Sequence, residues 1–215
     1  MKVGVLGGSF DPPHIGHLHV VKTLLKNKIC QKIILMPCFK HPFLKPITNA
    51  KHRLIMIQLL EDKNIEVSDL EIKKENTSYT VDTLNALKNQ CPKDDFIWII
   101  GEDQLRDFKR WKNWQEIIEK FGVIIVPRQV RPPRGSPTVT PEVKKRFATP
   151  PRWRGKRPRL LGGELRKITI LDQKTLKPLN ISSSEIRRRI KMGKDIEGLV
   201  PKEVERYIIK HKLYT

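Results

Sequence analysis

Apolar positions along this chain recur in blocks whose spacing switches between strand-like and helix-like. Val3, Val5 and Leu6 predict a short strand that runs into Gly7 and Gly8, then an Asp-Pro-Pro turn. A helix follows with Leu18, Val21, Leu24 and Leu25 on one face. Lys32 to Met36 reads as a second strand closed by Pro37, and residues 38–46 as a loop over the sheet edge. From about Asn49 to Leu60 the pattern predicts a helix with Ile55, Met56, Leu59 and Leu60 inward; Ile65 to Val67 fits another strand. Residues 76–90 predict a helix capped by Ser78 or Thr80, with Val81, Leu84 and Leu87 as its buried stripe. The unbroken run FIWII at 96–100 is that of a central parallel strand covered on both faces, and GVIIVP at 122–127 is the next strand. The pattern resumes with a strand at 168–171, a helix at 181–190 begun by a serine run, and a last helix with Pro201 in its first position and Val204, Tyr207 and Ile208 inward. Strands alternating with helices predict one α/β domain over residues 1–215, a Rossmann-like, doubly wound parallel sheet.

Residues 128–167 break this periodicity. They are rich in Pro, Arg and Gly and are read as an insertion within that domain. Of the formal net charge of +20, the segment holds 13 basic against two acidic residues, Glu142 and Glu164, a net +11. The remaining +9 is ordinary for an enzyme of polyphosphates. A solvated surface insertion, a basic arm for nucleic acid or membrane surface, and a cationic lid for ATP all fit this composition; Trp153 among Arg152, Arg154, Lys156 and Arg157 is what supports base stacking. Cys30, Cys38 and Cys91 form no C-x-x-C pair and read as reduced thiols of a cytoplasmic protein. No signal peptide or membrane span is predicted, and a homo-oligomer is left open.

The first seventeen residues outline an anion site. Glycines at 7 and 8 allow close approach to the main chain, a helix N-terminus follows, and His14 and His17 share its first turn. The competing reading is a zinc pair or structural histidines; zinc would want a third nearby ligand, and none is evident, so no residue is assigned to a metal. Ser182 and Ser183 with Arg187 one turn on converge on one point, beyond what a helix cap alone requires. Trp111 and Trp114 offer flat surfaces or hydrophobic anchors.

Four ordered blocks, GGSFDPPHIGH, SYTVDTL, IIGEDQLRDFKRWKNW and ISSSEIRRRI, resemble the signatures of bacterial nicotinate-nucleotide adenylyltransferases, members of the HxGH nucleotidyltransferase superfamily. The closing LVPKEVERYIIKHKLY is similar as well. The resemblance implies adenylyl transfer from ATP to nicotinate mononucleotide in NAD biosynthesis, giving deamido-NAD and pyrophosphate, with Mg²⁺ accompanying ATP. It implies catalytic His14 and His17, and ATP contacts at Gly7, Gly8, Ser9, Phe10, Gly101, Asp103, Ser182, Ser183 and Arg187. Main-chain groups around Tyr79 and Thr80, with Trp111 stacking, would bind the acceptor. Lys112 replaces the family's common aromatic or histidine and would pair with the acceptor carboxylate or point to water. The loop MPCFKHPFLK matches the family at neither end, so no phosphate role is carried over to Lys45. Nicotinamide mononucleotide as acceptor is the enzymatic alternative, and a nucleic-acid-binding protein using the 128–167 arm the non-enzymatic one.

Overall fold

A computed structural model describes residues 1–40, 47–127 and 168–215. Six parallel strands form one sheet: β1 (Lys2–Gly8), β2 (Lys32–Pro37), β3 (Ile65–Val67), β4 (Asp95–Gly101), β5 (Val123–Val126) and β6 (Thr169–Ile170). Their spatial order is β3-β2-β1-β4-β5-β6, so the order reverses between β1 and β4. Crevices at such reversals are where open α/β sheets bind ligands. The expected α/β parallel sheet is therefore present. The 128–167 insertion lies outside the described residues, as does Lys45.

Alternation along each strand builds two cores. Val3 and Val5 of β1, Ile34 and Met36 of β2, and Phe96, Trp98 and Ile100 of β4 face one side. Leu6, Ile33, Leu35, Ile97 and Ile99 face the other. The second core is covered by α1 (Ile15–Lys26), α2 (Ala50–Gln58), α7 (Ser183–Lys191) and α8 (Lys202–Lys210). The first is covered by α3 (Leu70–Lys73), α4 (Thr80–Gln90), α5 (Leu105–Phe108) and the segment from α6 (Trp114–Glu116) through a wide turn at Ile117–Phe121.

Several local expectations shift. On α2 the helix ends at Gln58, Ile57 is buried, and Leu59 is 41% exposed. Neither Ser78 nor Thr80 caps α4: Tyr79 occupies that position without a side-chain bond, and Thr80 begins the helix. Pro201 precedes α8, which starts at Lys202. Among the described residues no helix is long and apolar enough to cross a membrane.

Candidate active site

β1 delivers Gly7 and Gly8 to the reversal edge, beside Gly101 at the end of β4. Gly7 has a packing reason of its own. A Cβ there would come within 2.4 Å of the Trp98 ring, which lies across the strand. Gly8 hands its carbonyl to the Cys38 N–H at 3.0 Å. Phe10 then turns the chain in the left-handed region, φ 47°, with its ring buried.

His14 caps α1 in an extended conformation and is 4% exposed. The His14 main-chain N–H donates to Nδ1 of His17 at 3.2 Å. Accepting that bond leaves Nδ1 of His17 unprotonated, so the proton of a neutral ring belongs on Nε2. The two imidazoles stack, centroids 3.7 Å apart, and Phe10 lies 4.9 Å from His17. Gly16 makes this turn compact: a Cβ there would stand 2.9 Å from the His14 ring.

α7 meets the same turn. Ser182 accepts from the Glu185 N–H at 3.2 Å, and the Ser183 hydroxyl donates to the Pro12 carbonyl at 2.8 Å. Arg187 donates from Nη1 to the Asp11 carbonyl at 2.6 Å, with Asp11 Oδ2 3.8 Å away. The three arginines divide: Arg188 pairs with Glu185 on the surface and Arg189 reaches the Asp195 carbonyl, while Arg187 alone turns to the loop. The serine side chains thus serve the fold first, tying α7 to the Asp-Pro-Pro turn.

A second cluster gathers at the N-terminus of α4. Tyr79 is 48% exposed, and Lys112 Nζ lies 5.0 Å from its ring centre. The same ammonium donates to both Asp82 oxygens, at 2.8 and 3.2 Å, which holds its charged form more firmly than usual. Lys112 therefore neither points to water alone nor awaits the acceptor unpaired. Trp111 packs half-buried on Phe108, centroids 5.1 Å apart, and Trp114 meets the same ring at 6.3 Å. Asp103 sits exposed within the short turn Glu102–Gln104, whose cap position is Gly101.

Three side chains that the sequence reading passed over hold the site together. Arg53 is fully buried and donates to the carbonyls of Thr48, Ser9, Cys38 and Phe39 at 2.7 to 3.0 Å. Its spacing to Met56, Ile57 and Leu60, i+3, i+4 and i+7, was the signal that it faces inward. Asp11, 1% exposed, accepts from the Tyr214 hydroxyl at 2.7 Å and the Thr48 N–H at 3.1 Å. Glu71, buried behind α4, accepts from the Thr83 hydroxyl at 2.7 Å; burial raises its pKa above the usual carboxylate value.

Known proteins resemble this chain over most of its length. A family described as cytidylyltransferase-like matches residues 5–189. A Fusobacterium nucleatum protein named "probable nicotinate-nucleotide adenylyltransferase" is 35% identical over 98% of each chain. One of the same name from Methylacidiphilum infernorum is 34% identical, over 99% of this chain and 92% of its own. The chain belongs to the nicotinate-nucleotide adenylyltransferase family. Its fold is also that of Plasmodium falciparum nicotinic acid mononucleotide adenylyltransferase complexed with NaAD, with a TM-score of 0.72 and 23% identity over 99% of this chain and 97% of that one.

Proposed function

We propose that this protein transfers AMP from ATP to the 5′-phosphate of nicotinate mononucleotide, a step of NAD biosynthesis. The phosphate oxygen attacks the α-phosphorus of ATP, a new P–O–P link forms, and the bond to pyrophosphate breaks, leaving deamido-NAD. No protein nucleophile is needed. The protein aligns two anions and stabilises the charge that grows on the leaving group.

The observation that carries this reading is the His14–His17 turn at the β1–β4 edge. With Nδ1 of His17 engaged by a main-chain N–H, Nε2–H is the donor it can direct at a phosphate oxygen. Such a donor acts without first gaining a proton. Main-chain groups at Gly8, Ser9 and Phe10 bracket the reacting phosphates, and Arg187 adds a guanidinium for the outer ones. On the other side, N–H groups at Tyr79 and Thr80 address the pyridine carboxylate and Trp111 its ring.

Mg²⁺ fits the site as an ion carried by the phosphates. Among the described residues no three His, Cys, Asp or Glu side chains gather as a ligand set, and both Asp11 oxygens already accept protein hydrogen bonds. Phosphate oxygens and water are the ligands a hard, strongly hydrated cation prefers. Bound there, it would neutralise charge on the departing pyrophosphate.

The test is turnover with ATP, Mg²⁺ and either mononucleotide, read as pyrophosphate release and dinucleotide formed. Preference for the nicotinate form is expected; equal or faster use of the nicotinamide form overturns the acceptor choice. His17→Ala should lower kcat by about a hundredfold or more in a folded protein. A near-normal rate would remove His17 from the chemistry.

A further inference from the structure

Tyr214 lies 203 residues from Asp11 along the chain, yet their contact is one of the shortest hydrogen bonds near the site, 2.7 Å from hydroxyl to Oδ1. The approach is built at some cost. Tyr214 and Lys212 both take left-handed backbone angles, φ 69° and 47°, which disfavour side chains other than glycine. These turns bring the ring back against the core on that side of the sheet. Burial and the neighbouring Asp11 carboxylate push the phenol far above its ordinary pKa, so it remains a donor throughout the working range.

The carboxylate it meets is buried, lies in the field of the Arg53 guanidinium, whose donors are taken by four carbonyls, and has three closer neighbours. Tyr214 serves Oδ1, the Thr48 N–H serves Oδ2, and Arg187 stands 3.8 Å from Oδ2, too far for a hydrogen bond. Arg187 instead donates to the Asp11 main-chain carbonyl at 2.6 Å and keeps a third of its side chain exposed. A buried carboxylate deprived of a donor seeks the nearest movable one, because an unsatisfied charge is costly. Here that is Arg187.

We propose that Tyr214 is a positioning residue for ATP: its hydroxyl occupies Asp11 and so keeps the Arg187 guanidinium available to the phosphates. Without that hydroxyl, Asp11 rotates toward Arg187 and closes a full ion pair. The guanidinium is drawn inward and its charge is cancelled where the triphosphate binds. This rests on the reading of Arg187 as an ATP contact.

The experiment is steady-state kinetics of Tyr214→Phe, Arg187→Ala and the double variant, with both substrates varied. Tyr214→Phe should raise KM for ATP about tenfold, the scale of one hydrogen bond to a charged group, with KM for the mononucleotide unchanged. On the Arg187→Ala background the same substitution should add little, since there is no guanidinium left to capture. An unchanged KM for ATP, equal effects on both substrates, or full additivity with Arg187→Ala would each overturn the proposal and leave Tyr214 a packing residue. If Arg187→Ala alone leaves KM for ATP unaltered, the assignment of Arg187 fails instead. Should Tyr214→Phe not fold, Asp11→Asn alone takes its place: with the capturing charge absent and Tyr214 intact, an unchanged KM for ATP supports the proposal, and a tenfold rise overturns it.

Discussion

Gly16 shows how little room the site leaves at the scale of one residue. Ala substitution would set a methyl group 2.9 Å from the His14 ring, a distance that real Cβ atoms do not tolerate. The ring must move, and the His14–His17 stack with it. Gly16→Ala should therefore reduce kcat at least tenfold while the melting temperature changes by only a few degrees, as measured side by side. Gly7 teaches the opposite lesson. Besides the phosphate approach that a glycine pair suggests, its missing side chain makes room for Trp98, a residue 91 positions away that no local pattern connects to it. Glu71 gives a pH signature. Its folded pKa is raised, so folding takes up a proton over the window between the ordinary carboxylate value and the raised one. Stability is full below that window and falls as pH rises through it. Glu71→Gln, which keeps an acceptor for Thr83, should flatten this slope; thermal unfolding of both proteins across that pH range checks it. The Cys30 thiol, pushed up to about 11 by burial, should stay unmodified by thiol reagents in the native protein at neutral pH, whereas exposed Cys91 reacts.

At the scale of elements, α2 acts as a hub because Arg53 replaces an apolar residue on its inward stripe. Four carbonyls from three separate segments, at Ser9, Cys38 and Phe39, and Thr48, end on one guanidinium. Arg53→Met keeps the bulk and leaves those carbonyls without a donor. It should cost roughly 3–5 kcal/mol in denaturant unfolding, on the scale of breaking a buried charged network. β2, β4 and β5 were legible in the sequence because their apolar runs are nearly unbroken, β1 and β3 because apolar positions alternate, and α1 and α7 because their stripes or caps are strong. The start of α4 was not. Tyr79 takes the cap position without bonding through its side chain, so the nearby serine and threonine misled. The buried cluster of Asp11, Arg53 and Tyr214 was also out of reach, since its members come from β1's end, α2 and the C-terminal turn, and charge patterns do not reveal which distant groups share a pocket.

Over the whole molecule the sheet separates the supports proposed for the two substrates. The histidine turn, α7 with Arg187 and the turn carrying Tyr214 belong to the core on one side of the sheet; α4 with Tyr79, α5 and Trp111 belong to the other. Both layers open at the C-terminal ends of the paired strands β1 and β4, where the strand order reverses. A doubly wound sheet thereby lets the two surfaces proposed for the substrates be built from independent packing layers. Independence has a measurable consequence. Trp111→Ala should raise KM for the mononucleotide and spare that for ATP, since the lost stacking surface belongs to the acceptor side alone. Arg187→Ala should do the reverse. Because the two side chains share no packing layer, their effects on the transition state should add to within about 0.5 kcal/mol in the double variant. A coupling larger than about 1 kcal/mol, from kcat/KM of the four proteins, would mean that the two halves communicate through the sheet, and the separation of roles would then have to be abandoned.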